Sequence, residues 1–331
     1  MSRPVGITTT LPVEIIYAAG AYPVDLNNIF ISDPNPEHFS EIATLDGYPR
    51  NICEWIKGIY GVMVSHPEIR EVIAVTQGDC SNTHALMETL EVLGRKVIPF
   101  AFPYDRNQKL LRNSMESLAE YFDTTMESAE AMREYLSSIR ALLWKIDELT
   151  WKENKVRGFE NHLYLVSSSD FEGDPEKFRK KLEDFIVLAK ERPPFDRNEI
   201  RLGYIGVPPI FPAIYDYLES LGARVVFNEI QRQFSMPFNA SNLVEQYINY
   251  TYPYPVFGRI EDIKREVARR KLVGLIHYVQ SFCFRQIEDL IIRRMISEIP
   301  ILTIEGAEGV KLDERTKIRV QAFVEMLRRM R

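Results

Sequence analysis

The 331-residue sequence lacks the excess of basic residues that typifies nucleic-acid binding. Its 41 Lys and Arg residues are outnumbered by 47 Asp and Glu residues, which gives a formal net charge of −6. Because neutralisation of phosphates by cations supplies much of the affinity for nucleic acids, we expect no nucleic-acid partner.

Long apolar runs are also missing. The most apolar stretch begins at Leu272 and is interrupted by His277 and Gln280. A membrane-spanning helix needs about 18 continuous apolar residues. The N-terminus has no cationic start followed by an apolar run, as a signal peptide would have. We therefore expect no membrane segment and a cytoplasmic location.

Cysteine is scarce, with Cys53, Cys80 and Cys283 the only three in the sequence. An odd number in a long chain does not form a disulfide framework. The absence of C-x-x-C excludes the usual zinc-ribbon, thioredoxin-like and ferredoxin-loop motifs. There is also no G-x-G-x-x-G and no G-x-x-x-x-G-K-[ST], so binding of a dinucleotide or ATP through those motifs is not expected.

What the sequence does contain is an alternation of strand and helix patterns, in two parts separated by a helical stretch. This alternation predicts an α/β fold with two doubly wound, Rossmann- or flavodoxin-like parallel-sheet domains. We place an N-terminal α/β domain at 1–105, a helical connecting segment at 106–195 and a C-terminal α/β domain at 196–331. A cleft between the two sheet domains is the expected functional site.

The three cysteines have similar positions in this pattern. Cys80 lies between the strand EVIAVTQGD and the helix NTHALMETL, and Cys283 lies between LVGLIHYVQS and RQIEDLIIRRM. Cys53 opens a third helix. Helix N-termini favour a thiolate, and the carboxyl ends of parallel strands line the ligand crevice of such folds. We therefore predict that three thiolates converge between the domains.

Three thiolates without a fourth cysteine suit a [4Fe–4S] cluster in which one iron is open or has a non-cysteine ligand. A Cys₃His zinc site, with His84 or His277 as fourth ligand, is an alternative interpretation. A third is that the cysteines are simply small buried apolar residues.

The segments around these cysteines resemble the 2-hydroxyacyl-CoA dehydratase D-component family, which includes benzoyl-CoA reductase cluster subunits and double-cubane cluster proteins. The resemblance spans nearly the whole chain. Its main segments are, in order, GITTTLPVEIIYAAGAYPVDL, YPRNICEWIKGIYG, TQGDCSNTHALMETL, GLIHYVQSFCFRQIEDLIIRRM and IPILTIEG. The three cysteine segments, in this order and context, are together specific.

The resemblance implies that Cys53, Cys80 and Cys283 hold one [4Fe–4S] cluster and that the chain pairs as a homodimer or with a paralogous subunit. In a homodimer, six converging thiolates would allow a bridged [8Fe–9S] double cubane. A separate ATP-hydrolysing iron–sulfur activator is implied as the source of low-potential electrons. The implied activity is single-electron reductive chemistry, by an oxygen-sensitive reductase or lyase, on a small molecule or an acyl-CoA. The alternative is a non-catalytic electron-relay subunit of a heterodimeric 2-hydroxyacyl-CoA dehydratase or benzoyl-CoA reductase.

Two positions near the N-terminus bear on the substrate. Thr10 falls where substrate-handling subunits of the family have a hydroxyl near the open iron, so the resemblance makes Thr10 a candidate catalytic residue. Those subunits carry an acidic residue where this chain has Val24, and Asp25 is expected to face the opposite way because side chains alternate along a strand. This departure favours the reductase branch or an electron-relay subunit over a hydroxyacyl-CoA dehydratase.

Three further features are interpreted as structural. Glu14 lies at a helix start, where a carboxylate stabilises the helix dipole. The Tyr- and Pro-rich stretch 249–259 is expected to be a surface loop or a dimer contact, and the basic run 264–271 a solvated helix face.

Overall fold

The computed structural model describes residues 3–196, 198–306 and 311–330. It contains two four-stranded sheets, in the orders β2-β1-β3-β4 and β6-β5-β7-β8, and every strand pair is parallel. The strands are β1 Pro4–Ile7, β2 Tyr22–Asp25, β3 Glu71–Gln77, β4 Lys96–Ala101, β5 Ile200–Gly206, β6 Ala223–Asn228, β7 Gly274–Gln280 and β8 Ile301–Gly306. The predicted fold class is confirmed.

Helices flank both sheets and fill the stretch between them. They are α1 Val13–Ala18, α2 Leu26–Ser32, α3 Glu37–Leu45, α4 Glu54–Ser65, α5 Thr83–Val92, α6 Gln108–Tyr121, α7 Met126–Trp151, α8 Gly158–Val166, α9 Pro175–Glu191, α10 Ala213–Ser220, α11 Glu229–Phe234, α12 Leu243–Asn249, α13 Val256–Arg270, α14 Arg285–Met295 and α15 Glu314–Met330. Two short 3₁₀ turns, Ser167–Ser169 and Phe171–Gly173, separate α8 from α9. No helix in the described part of the chain combines the length and apolarity needed to cross a membrane.

The helices of the connecting segment begin where polar side chains can cap them. The Asn107 side chain accepts hydrogen bonds from two backbone N–H groups of α6, and Thr125 and Asp174 each accept one from α7 and α9. Such caps satisfy N–H groups that have no partner inside the helix. The segment therefore contains four separate helices, α6 to α9, which pack with the first sheet in one buried apolar cluster.

The order of the strands determines where a ligand site can form. In the first sheet β1 pairs with β2 on one side and β3 on the other, and in the second sheet β5 lies likewise between β6 and β7. The connections leave β1 and β5 in opposite directions, and the loops at the carboxyl ends of such strands form a crevice. Each sheet has one such crevice, at the carboxyl end of its β1 or β5 strand.

The two sheets also share a core. One buried cluster includes Val72 of β3 together with Leu202 of β5 and Ile276 of β7. The strands of the sheets lie within 4–101 and 200–306, whereas the exact domain limits at 105 and 195 stay a prediction.

Glu14 does not act mainly as a helix cap. Its side chain is fully buried and accepts hydrogen bonds from Arg140 at 2.7 Å, Gln246 at 2.8 Å and Tyr247 at 2.8 Å. These partners lie on α7 and α12. The carboxylate therefore joins α1 to the connecting segment and to the second half of the chain.

The helix that carries the basic run, α13, is also less solvated than expected. Arg259, Asp262, Glu266 and Arg270 on this helix are buried. Arg270 forms ion pairs with Glu266 at 2.6 Å and with Asp147 at 2.5 Å. Only the opposite face of the helix, with Arg265 and Arg269, fits the predicted solvated surface.

Replacing Arg140 with Met should lower the free energy of unfolding by about 3–5 kcal/mol, because it leaves the Glu14 carboxylate buried without its cation. The loss is measured by denaturant titration, provided that the wild type and the variant show the same dependence of the unfolding free energy on denaturant concentration. The control is Arg179→Met, which breaks a more exposed 3.6 Å pair with Glu176 and should cost less than about 1 kcal/mol. Equal losses in the two variants would contradict the structural role assigned to the buried pair.

Candidate functional site

The three cysteines line one cavity, hereafter the cysteine cavity. Cys53 is the N-cap of α4, Cys80 lies two residues before the N-cap of α5, and Cys283 lies directly before the N-cap of α14. All three thiols are free, with Cys53 buried and the other two half-buried. The structure thus brings together the three residues that their sequence positions suggested.

Both crevices contribute to this cavity. The first sheet supplies Thr8 and Thr9 after β1 and the Cys80 loop after β3. The second sheet supplies Val207 after β5 and the Cys283 loop after β7. The cysteine cavity therefore lies where the carboxyl edges of the two sheets meet, as the doubly wound topology requires.

Backbone N–H groups at the helix starts point at the sulfur atoms. Those of Trp55 and Ile56 donate to Cys53, that of Asn82 to Cys80 and that of Arg285 to Cys283. Such donors stabilise negative charge on sulfur.

Burial nevertheless outweighs these donors. It raises the pKa of the Cys53 thiol far above its usual range, and with the Asp79 carboxylate it raises the pKa of Cys80 to about 12. The pKa of Cys283 is raised by burial as well. That the three sulfurs are thiolates stays a prediction, because desolvation of the sulfurs opposes the effect of the helix ends. A bound cationic group would have to supply the missing stabilisation.

Asp79, Tyr252 and Arg285 join the two cysteine loops. The Tyr252 hydroxyl donates to Asp79 Oδ1 at 3.2 Å, and the Arg285 guanidinium donates to the Tyr252 carbonyl oxygen at 3.1 Å. The guanidinium also lies 4.2 Å from the centre of the Tyr252 ring. Burial raises the pKa of Asp79 to about 6, while the charge of Arg285 opposes that rise. These contacts hold the Cys80 loop against the Cys283 loop.

The stretch 249–259 is consequently not a surface loop. Tyr250, Tyr252 and Tyr254 are all buried, and Tyr252 lines the cysteine cavity. Gly78 has φ +102°, and a Cβ atom there would lie 2.7 Å from Pro253 Cβ. The turn before Cys80 therefore needs glycine, both for its backbone angle and for close packing against this stretch.

The other candidates lie elsewhere. Thr10 is buried beside Tyr250 and is not among the residues that line the cysteine cavity, whose hydroxyls after β1 are those of Thr8 and Thr9. A catalytic role for Thr10 stays a prediction.

The two candidate zinc ligands each have a hydrogen-bond partner other than a cysteine. His84 Nε2 lies 3.1 Å from the Thr76 carbonyl oxygen, and the buried His277 Nδ1 lies 2.6 Å from Asp289 Oδ1. Within the described ranges, no three His, Cys, Asp or Glu side chains are grouped closely enough to bind one metal ion. The alternative of a Cys₃His zinc site therefore has no preformed geometry.

A larger cavity of about 660 Å³, hereafter the side cavity, adjoins the cysteine cavity. Val24 and Asp25 both line it, and Asp25 also lines the cysteine cavity. The prediction that Asp25 faces away is wrong, because β2 ends at this residue and Asp25 is the N-cap of α2. Alternation of side chains does not continue beyond the end of a strand.

Sequence reasoning missed several residues of these cavities. His162 on α8 lines both, and Asp170 lines the side cavity. They belong to the helical connecting segment, where no local motif marks them. Arg285, by contrast, lies two residues after Cys283 and could have been recognised as the cation beside that cysteine.

The fold and the cysteine cavity define a class of α/β proteins in which two parallel sheets enclose three cysteines between their carboxyl edges. The family of the 2-hydroxyglutaryl-CoA dehydratase D-component matches residues 8–327. The chain belongs to this family. No curated protein matches it.

The buried His162 generates a pH prediction. Burial lowers its pKa from 6.5 to about 3, so the unfolded chain binds a proton that the folded chain does not. This contribution to stability is complete above pH 6.5 and is lost as pH falls towards 3. Its loss at about pH 5 amounts to about 2 kcal/mol.

The measurement compares unfolding of the wild type and of His162→Phe between about pH 8 and pH 5. The Phe ring can keep the stacking of His162 on Phe159 and Tyr215. The variant should lose less stability on acidification than the wild type, whereas the matched control His66→Phe, at a partly exposed site, should follow the wild type. Parallel pH profiles for the wild type and His162→Phe would contradict a neutral His162.

Proposed function

We propose that the chain holds one [4Fe–4S] cluster through Cys53, Cys80 and Cys283. Electrons would come from an ATP-hydrolysing iron–sulfur activator and would drive single-electron reductive chemistry on a small molecule or an acyl-CoA. The observation that carries this proposal is that three free cysteines from three separate helix starts line one cavity.

The chemistry of this donor set fits the group. Each sulfur accepts at least one backbone hydrogen bond, and hydrogen bonds to sulfur are among the factors that tune iron–sulfur centres. Burial raises the pKa of the free thiols, and binding to iron would favour their thiolate forms. Ligands of a cluster attach to different irons, so they need not approach one another as closely as the ligands of a single ion.

When bound, the cluster would supply a one-electron donor at low potential. The chain itself contributes three things. Cys53 is only 8% exposed, which limits access of water. The helix N-termini and Arg285 place positive potential around the cysteines. The contacts of Asp79, Tyr252 and Arg285 fix the two sheets relative to each other at this site.

The proposed cluster is tested by measuring the iron and acid-labile sulfide content of the anaerobically purified chain. We expect about four irons per chain, and Cys283→Ala should lose or degrade the bound iron. Sulfide in excess over iron would favour the bridged [8Fe–9S] double cubane of a homodimer. His84→Ala is the control, because a cluster held by three cysteines does not depend on that side chain.

Zinc content is measured in the same samples. Zinc in place of iron, or iron content unchanged by Cys283→Ala, would exclude the proposed ligand set. If the chain contains neither iron nor sulfide after reconstitution, the three cysteines are best interpreted as packing residues.

Reduction by an activator tests the electron path. With a family activator, ATP and a reductant, the visible absorption of the iron–sulfur centre should bleach, and omission of ATP should prevent this. In the presence of the activator, turnover of 2-hydroxyglutaryl-CoA or benzoyl-CoA without any further subunit would favour the interpretation of this chain as the enzyme. Turnover of these substrates only after addition of a paralogous subunit would favour the electron-relay alternative, and no ATP-dependent bleaching would contradict both.

A further inference from the structure

Four charged side chains of alternating sign form a chain that runs inward from the Cys283 loop. Arg285 Nη1 lies 3.5 Å from Glu288 Oε2, and Arg259 donates to the same oxygen at 2.8 Å. Arg259 also donates to the two carboxylate oxygens of Glu229, at 2.7 and 3.0 Å. Arg259 and Glu229 are fully buried, and the side chains of Arg285 and Glu288 are only 4% and 15% exposed. Water and salt therefore screen these charges little.

The first member of this chain, Arg285, lies two residues after a cysteine. Its positive charge lowers the pKa of the Cys283 thiol, whereas the negative charges of Asp79 and Glu288 raise it. The guanidinium is fixed by its hydrogen bond to the Tyr252 carbonyl oxygen at 3.1 Å, and it lies 4.2 Å from the centre of the Tyr252 ring. The Cys283 sulfur is thus subject to one cation and to two acidic groups that act against it.

Glu288 is the member of the chain whose charge can be removed with least damage to the fold. Without it, Arg259 keeps its two hydrogen bonds to Glu229, and Arg285 keeps its contacts with Tyr252. Glutamine has the same length and retains a carbonyl oxygen that accepts from a guanidinium. The change Glu288→Gln therefore isolates the effect of the charge.

We propose that Glu288 is a positioning residue that lowers the electrostatic potential at the Cys283 sulfur by opposing the charge of Arg285. The effect on the sulfur does not require a cluster, whereas its consequence for a cluster rests on the proposed function. Net charge contributes to the reduction potential of an iron–sulfur cluster, so a carboxylate near Cys283 makes an added electron less favourable. Glu288 would then make the reduced cluster a stronger reductant.

The potential at the sulfur is measured by alkylation of the metal-free full chain with iodoacetate, an anion, and with iodoacetamide, which is uncharged. Peptide mass mapping gives the rate at each cysteine separately. Both reagents depend alike on the accessibility of the thiol and on its thiolate fraction, so the ratio of their rates at Cys283 reports the local charge. Glu288→Gln should raise the rate with iodoacetate relative to iodoacetamide about threefold, because the anionic reagent meets one negative charge fewer.

Two further variants separate charge from structure. The matched control is Glu298→Gln, which removes the same formal charge from an exposed 3.6 Å pair with Lys264 and should leave the ratio at Cys283 unchanged. Arg285→Gln removes the cation and should lower the ratio about threefold. A loosened structure would not produce opposite changes in Glu288→Gln and Arg285→Gln.

The consequence for the cluster is measured in the iron-loaded chain by redox titration followed with EPR spectroscopy. Glu288→Gln should raise the midpoint potential by about 30 mV, which is the same threefold change for a one-electron couple at about 59 mV per tenfold. Glu298→Gln should have the midpoint potential of the wild type.

An unchanged reagent ratio at Cys283 in folded Glu288→Gln, or an equal change in Glu298→Gln, would overturn the inference. So would a ratio that does not fall in Arg285→Gln, which is the deciding variant should Glu288→Gln not fold. A raised ratio with an unchanged midpoint potential would overturn the consequence for the cluster alone. A chain without iron refutes the proposed cluster, and the reagent ratio then still tests the charge at Cys283.

Discussion

Three thiols buried where two parallel sheets meet are the constraint on which the rest of this structure depends. Burial raises the pKa of all three thiols, to about 12 for Cys80. Helix N-termini, Arg285 and the backbone donors offset only part of that cost. The Cys80 loop is held from the second half of the chain, where Tyr252 donates to Asp79 and Arg285 donates to the Tyr252 carbonyl oxygen.

The contacts that hold the two sheets together follow from the same requirement. Tyr252 bridges the cysteine loops at the cavity, and Glu14 joins α1 to α7 and α12 through buried partners farther away. Loss of one partner of a buried pair leaves an uncompensated charge, so these contacts specify one arrangement of the domains. The connecting segment is therefore part of the site as well as a link, since it also supplies His162 and Asp170.

Much of the fold and the position of the cysteines could be predicted, because strand–helix alternation and the residues at helix starts are local signals. Not every boundary has such a signal: α11 begins directly after β6 at Glu229, whose carboxylate accepts from the Gly206 N–H and pairs with Arg259. The burial of Tyr250 and Tyr252 in an irregular stretch has no periodicity to reveal it. The raised pKa values of the thiols could not be predicted for a related reason, because desolvation of the sulfurs depends on how the rest of the fold covers them.

Asp25 shows how the end of one strand alters the chemistry of a site. The position that the resemblance expects to be acidic in substrate-handling subunits is Val24 here, and Val24 makes that part of the side-cavity wall apolar. The carboxyl group one residue later reaches the same cavity because β2 has ended and α2 begins. The backbone N–H of the same residue donates to Asp170, and burial together with the Asp25 carboxylate raises the pKa of Asp170 to about 7. A one-residue difference in the position of an acid thus bears on both cavities, because Asp25 lines the cysteine cavity as well as the side cavity.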